Sequence, residues 1–329
     1  MTFKLLRAIL SISSRLEETM QYYIILIAGQ ILVGLAHFSH KTFAKRSGGF
    51  LPIGLLYAGL ISLCSLPVFS VLAGFDLSLD GSLLFYSAAY GILAAVSQML
   101  IFLAFGRVNM VVYSVFSKSS AILVCITGFL FFGDAVTVGS VLSVVLLTAA
   151  ILIPLFEIRS KEGKKNGLYS LIICLLIMLD GFIIQLVVKG FTELDGSTVE
   201  AASALYFYAN IVMAVILLAA FYFITRRRKA AEVTLSPDDM HVGISAAVKR
   251  VPSRIYVLIP ITATVANIPC VTSAYCLMNM DLSIFTIITK AAESLVFFCI
   301  SRFFFKEKTT RLEIIALILS TLAGMVTVL

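Results

Sequence analysis

Ten apolar runs, each about twenty residues long, constrain this chain more than anything else in it. They cover approximately 21–39, 51–73, 82–105, 110–132, 135–156, 167–188, 201–224, 255–278, 282–305 and 312–329. About 20 apolar residues carry a helix across a bilayer, whereas an outer-membrane barrel would alternate polar and apolar residues in segments of about ten. Only 13% of the 329 residues are charged, against roughly 25% in soluble domains. So little charge cannot cover a water-facing surface of this size. A soluble enzyme, a nucleic-acid-binding domain and a disordered tail are excluded. The expected fold is an all-α polytopic membrane protein with ten transmembrane helices.

Lys and Arg are spread unevenly between these runs. Of 25, 19 fall in the loops after spans one, three, five, seven and nine, and four (Lys4, Arg7, Arg15 and Lys189) on the opposite side. Cytoplasmic loops carry the excess of basic residues, so the expectation is basic loops in the cytoplasm and an integral protein of the plasma membrane. The 225–254 stretch is the sizeable loop, basic and polar, and is expected to be cytoplasmic. Residues 1–19 read as a tail whose Phe3–Leu16 stretch is basic and amphipathic, with Met20 directly before the first span. Six cysteines all sit inside apolar runs without ligand spacing, so neither a disulfide nor a metal site is expected.

The chain repeats itself. After span one it reads Lys41-Thr-Phe-Ala-Lys-Arg-Ser-Gly-Gly, and after span six Lys189-Gly-Phe-Thr-Glu-Leu-Asp-Gly-Ser. Span four carries Tyr113-Ser-Val-Phe-Ser-Lys118-Ser-Ser-Ala, and span nine Phe285-Thr-Ile-Ile-Thr-Lys290-Ala-Ala-Glu. A short turn follows each, Phe131-Phe-Gly-Asp134-Ala-Val-Thr137 in one half and Phe304-Phe-Lys-Glu307-Lys-Thr-Thr310 in the other. Matching loops carry opposite charge. Five spans per half would explain this, since an odd number inverts the second copy in the membrane. The expected organisation is a first five-helix repeat over 20–156, a linker over 157–166 and a second repeat over 167–329. Inverted repeats of this kind mark transporters.

Two five-helix halves, each with such a turn before its last helix, resemble the drug/metabolite transporter superfamily, and within it the EamA-like ten-helix branch. The resemblance implies that helices one, three, four, six, eight and nine line a central cavity, with five and ten peripheral. It says almost nothing about substrate, because members carry amino acids, drugs, nucleotide sugars and sugar phosphates.

Lys118, Asp180, Lys290 and Glu293 fall near span centres, where a charge costs about 2.5–3.5 kcal/mol on insertion scales. They must face a polar cavity or each other. Lys118 and Lys290 hold equivalent positions in the two halves, so two ammonium groups could meet an anionic substrate near the midplane. Internal pairing is the alternative: Glu293 is three residues from Lys290, and Asp180 could reach Lys118 across the bundle. Asp180 and Glu293 are also candidates for proton coupling. Gln98, Tyr113, Asn267 and Tyr275 are candidate substrate contacts, with hydrogen bonding between helices as the other reading. Asn210 stands the same way. His37 and His40 sit at the end of the first apolar run and read as interfacial. Pro67, Pro260 and Pro269 interrupt spans two and eight, either as kinks used in motion or as static packing.

The expected function is a secondary transporter that moves a small solute by alternating access, with antiport among its modes. The solute is expected to be an anionic metabolite: a phosphorylated sugar, a nucleotide sugar or an organic acid. An exporter of amino acids or amphipathic drugs, its lysines salt-bridged, is the alternative. A channel stays open, and a membrane enzyme lacks any clustered nucleophile, metal site or acid pair. No cofactor or catalytic residue is expected. The partners are the solute and the lipid bilayer, not nucleic acid, with a homodimer left open.

Overall fold

The computed structural model describes residues 2–46, 51–78, 80–105, 110–161, 164–194, 198–232, 256–306 and 310–328. Among these residues the regular structure is helical. The helices are α1 (Thr2–Arg46), α2 (Leu51–Leu72), α3 (Gly81–Phe105), α4 (Met110–Thr127), α5 (Val138–Lys161), α6 (Lys164–Thr192), α7 (Val199–Glu232), α8 (Leu258–Asn279), α9 (Leu282–Cys299) and α10 (Arg311–Val328). Seven contain an apolar stretch long enough to cross a membrane: Met20–Arg46, Leu51–Leu72, Gly81–Phe105, Leu175–Thr192, Val199–Arg226, Leu258–Asn279 and Leu282–Phe304. Spans four, five and ten correspond to shorter described apolar helices, Ser120–Phe132, Val138–Ala150 and Ile314–Ala323.

Helices outrun the apolar runs at several ends. The expected 157–166 linker is largely absorbed into the end of α5 and the start of α6, and α7 continues to Glu232. Lys, Arg and Glu are good helix formers, so charge marks the edge of lipid without stopping the helix. Likewise α1 runs unbroken from Thr2, through the stretch expected as a separate tail. The remainder of the 225–254 loop, from 233 onward, lies outside the described residues.

The polarity of the bundle is inside out. Ile24, Ile27, Ile31 and Leu35 make an exposed apolar stripe along α1, while Gln30 and Ser39 of the same helix are buried. Buried residues elsewhere include Asp180, Asn267 and Glu293, while Leu130, Phe131, Val145 and Val215 are exposed. An exposed surface this apolar requires lipid around it. The chain is a helical integral membrane protein.

Packing pairs the helices in a regular way. α2 lies on α7, α4 on α9 and α5 on α10. α3 meets α7 as α8 meets α2, α1 meets α8 as α6 meets α3, and α1 meets α9 as α6 meets α4. The α4–α5 contact is matched by α9–α10. Adding five to each helix number carries these pairings into one another. Close approach is achieved with glycine: a Cβ at Gly91 of α3 would stand 2.6 Å from the Ala209 carbonyl oxygen of α7.

The ends of α4 and α9 explain the turns seen in the sequence. Each helix closes in a wider π turn, Gly128–Phe132 and Ile300–Phe304, 172 positions apart. Gly133 follows the first with φ 72°, a left-handed conformation that glycine adopts without strain. The chain then places the buried Asp134 at the start of α9, where Oδ2 accepts the Ser283 N–H at 2.7 Å. A carboxylate here satisfies a helix N–H that has no partner within its own helix.

Two measurements follow. Gly91→Ala forces the new methyl against backbone, and we expect a loss of about 1–3 kcal/mol, read as a lowered thermal midpoint. Asp80 caps α3 by accepting the Leu83 N–H at 2.6 Å and the Ser82 hydroxyl at 2.8 Å, and these bonds hold its carboxyl below the usual range. Its contribution is present above the ordinary carboxyl pKa of about 3.9 and is lost as pH falls through the depressed value. The midpoint of Asp80→Ala should therefore fall short of wild type at neutral pH and converge with it in acid.

Candidate functional site

A cavity of about 330 Å³ lies within the bundle, walled by α1, α3, α4, α6, α8 and α9, with Tyr206 added from α7. α5 pairs instead with α10 and α4, and among the described residues contributes nothing to the lining. The volume is at the lower end of the roughly 300–1,000 Å³ of small-molecule sites. At the end of the bundle where α1 finishes, aromatic side chains fill the interior behind the cavity. Phe43 stacks on Tyr57 at 3.9 Å, and Phe297, Phe102 and Phe105 join the same core.

Lys290 and Glu293 both line the cavity and pair with each other, Nζ to Oε2 at 3.3 Å. Their position three residues apart on α9 puts both on one face. Gln98 and Tyr113 also line it. The Gln98 Oε1 is buried without a hydrogen-bond partner, and the Tyr113 hydroxyl reaches His37 Nε2 at 3.4 Å.

Asp180 is buried beside the wall, next to Gly181, which lines the cavity. It faces Ser97 of α3, but neither carboxylate oxygen meets a partner at hydrogen-bonding geometry. The side chain of Lys118 lies outside the described residues, so its equivalence to Lys290 stays a property of the sequence.

Asn267 and Tyr275 are not in the lining. On α8 the cavity face is Ala266, Pro269, Cys270, Ser273 and Leu277, a helical stripe from which both residues are turned away. Asn267 is buried with Nδ2 unpartnered, and Tyr275 packs its ring 5.7 Å from Tyr22. Asn210 bonds within its own helix, Nδ2 donating to the Tyr206 carbonyl at 2.8 Å.

His37 is the principal residue that sequence reading misplaced. The apolar run ends near residue 39, which suggested an interfacial histidine, but α1 continues to Arg46 and carries His37 into the cavity wall. Its Nδ1 lies 3.0 Å from the Val33 carbonyl oxygen, and its ring packs 4.8 Å from Phe297. His40 is buried one turn further on, edge-on to Tyr57 at 5.7 Å. Gln185 was likewise passed over: it lines the cavity from α6 and accepts the Thr286 hydroxyl at 3.2 Å. Its position within an apolar run was the available signal.

Fold and site together define a helical membrane protein with a polar chamber among its spans. No family model matches the chain, and no curated protein sequence matches it. Chains of known structure do match, 28 of them. One, described only as a crystal structure of a protein, superposes with a TM-score of 0.54 over 93% of this chain and 97% of its own, at 11% identity. That is a likeness of fold.

Removing one member of the Lys290–Glu293 pair strands the other charge in a mostly buried site. Glu293→Ala should cost about 3 kcal/mol, the low end for a broken buried pair because the pair faces a cavity. The double variant Lys290→Met/Glu293→Leu should recover part of the lost thermal midpoint.

Proposed function

We propose that this protein is a secondary transporter of the drug/metabolite transporter type, built as an inverted five-plus-five repeat of ten spans. A small solute binds in the central cavity, and the two halves rock around it to open alternately to either side. The carrying observation is the cavity itself: it is walled from both halves and holds the Lys290–Glu293 pair. The paired packing of helices five apart and the matching π turns support the repeat. The cavity also falls among the helices that the family resemblance implies.

The solute is an anionic metabolite, for which Lys290 and its sequence equivalent Lys118 supply point charges. The basic loops face the cytoplasm of a plasma-membrane protein. Lys41 at the end of α1 lies over the rings of Phe105 and Phe305, near the ends of α3 and α9. Lys189 at the end of α6 instead donates to the Leu277 carbonyl near the end of α8 at 3.3 Å. The Lys290–Glu293 pair also favours a second reading, an exporter of amino acids or amphipathic drugs in which the lysines are scaffolding.

A thermal-shift ligand screen separates the two. A ligand that binds the native state alone raises its stability. Sugar phosphates, nucleotide sugars and organic acids should stabilise wild type but neither Lys118→Ala nor Lys290→Ala. Stabilisation by amino acids or organic cations alone, retained in folded lysine variants, would sink the anionic reading.

A further inference from the structure

The cavity wall contains a histidine whose hydrogen bonds fix where its first ring hydrogen sits. The Val33 carbonyl can only accept, so His37 Nδ1 carries the hydrogen and donates to it at 3.0 Å. In the neutral ring Nε2 then keeps its lone pair, and the Tyr113 hydroxyl lies 3.4 Å from it, placed to donate to it. The surroundings of the ring are otherwise mainly apolar, with Phe297 and Phe105 centred 4.8 and 6.3 Å away.

The ionisable groups around His37 come from several helices. α9 presents Lys290 and Glu293, both of which act on it electrostatically. α1 itself adds His40, ring to ring at 6.1 Å, and Lys41 beyond the Phe105 ring. α4 adds Tyr113, and Cys270 of α8 lines the same cavity. Asp180 stands against Ser97 of α3.

At rest, Lys290 and Glu293 offset each other's charge. An anion that docks on Lys290 brings one further negative charge into a confined, low-dielectric space, where an unbalanced charge is unfavourable. His37 is placed to balance it. A proton taken from solvent forms an N–H bond at Nε2, and the ring becomes a cation beside Glu293 and the docked anion. The Tyr113 hydroxyl, 3.4 Å from Nε2, must then present its oxygen to the new N–H.

We infer that His37 is the proton site of this cavity, and that the cavity takes up an anion and one proton together. The inference rests on the anionic-solute reading above, and names the coupling ion for it. Transport of a monoanion would then be electroneutral proton–anion symport, or exchange of two such proton–anion pairs. The linkage has a definite sign: protonation strengthens anion binding, so affinity rises as pH falls until His37 is charged in the free protein as well.

Isothermal titration calorimetry on the purified full chain tests this, with gluconate and glucose 6-sulfate as probes. Neither anion titrates between about pH 5.5 and about pH 8, the window in which histidine changes charge. Titrations in buffers of different ionisation enthalpy count the protons. Wild type should take up about one proton per anion, with affinity rising up to about tenfold per unit fall in pH. His37→Gln should bind without proton uptake and with a flat pH profile. Anion binding to wild type without proton uptake overturns the inference and leaves the anionic reading standing. So does proton uptake that persists in His37→Gln and disappears in Asp180→Asn. Failure of both anions to bind at any pH overturns the anionic reading and the inference with it. If His37→Gln does not fold, absence of proton uptake by wild type, or its loss in Asp180→Asn, still overturns the inference, and uptake retained in Asp180→Asn supports it.

Discussion

The structure depends on one constraint: in hydrocarbon, a polar group must find its partner within the protein. Helices meet it along their length, because each backbone N–H and C=O is bonded within the segment. Side chains meet it locally. Ser62, Ser65, Thr127, Ser203 and Thr289 each return a hydroxyl proton to a carbonyl four residues back. What remains is a small set of groups that no local bond serves, and these define the interior. Exposed isoleucine, leucine and valine face outward, where lipid is the solvent.

Helix ends are where the constraint is hardest to meet, since terminal groups have no partner along the helix. The end of α4 shows one solution. A π turn and a left-handed glycine redirect the chain so that the Asp134 carboxylate caps the neighbouring α9. One short turn thus finishes one helix and starts another. A further tie between segments is built from Ser39, Tyr57 and Thr262, whose hydroxyls join α1, α2 and α8, with Thr262 donating to Ser39 at 2.7 Å. These contacts fix α1, α2 and α8 relative to one another, and with them the faces that α1 and α8 present to the cavity.

The cavity collects polar groups that a fully packed interior would have to neutralise. Gln98 keeps an unpartnered oxygen there, the Lys290–Glu293 pair stays in reach of His37, and Asp180 waits at the margin. An interior designed for stability alone would replace such groups with apolar ones, since a buried ion pair is weak evidence of stabilisation. Their retention beside open volume is what argues for a solute.

How much of this was legible beforehand differs from residue to residue. Lys290 and Glu293 stood out because a charge inside an apolar run has few physical explanations, and their spacing of three already put them on one helical face. Asp134 was visible as part of a repeated turn, though not as the cap of a helix 149 residues away. Asn267 and Tyr275 could not be sorted from the cavity face, because polar and apolar residues are spread around α8 and hydropathy gives it no inner side. His37 was misjudged because lipid boundaries were inferred from apolar runs, whereas the helix continues past them.

The sequence by itself determined that the chain lives in lipid and that it is helical. These follow from composition and period, which need no knowledge of neighbours. Only the tertiary structure decided which polar side chains share a cavity, which pair with each other, and which are spent on caps and ties between helices. Those outcomes depend on the rotation of each helix about its axis, and that rotation is set by packing against helices distant in the chain.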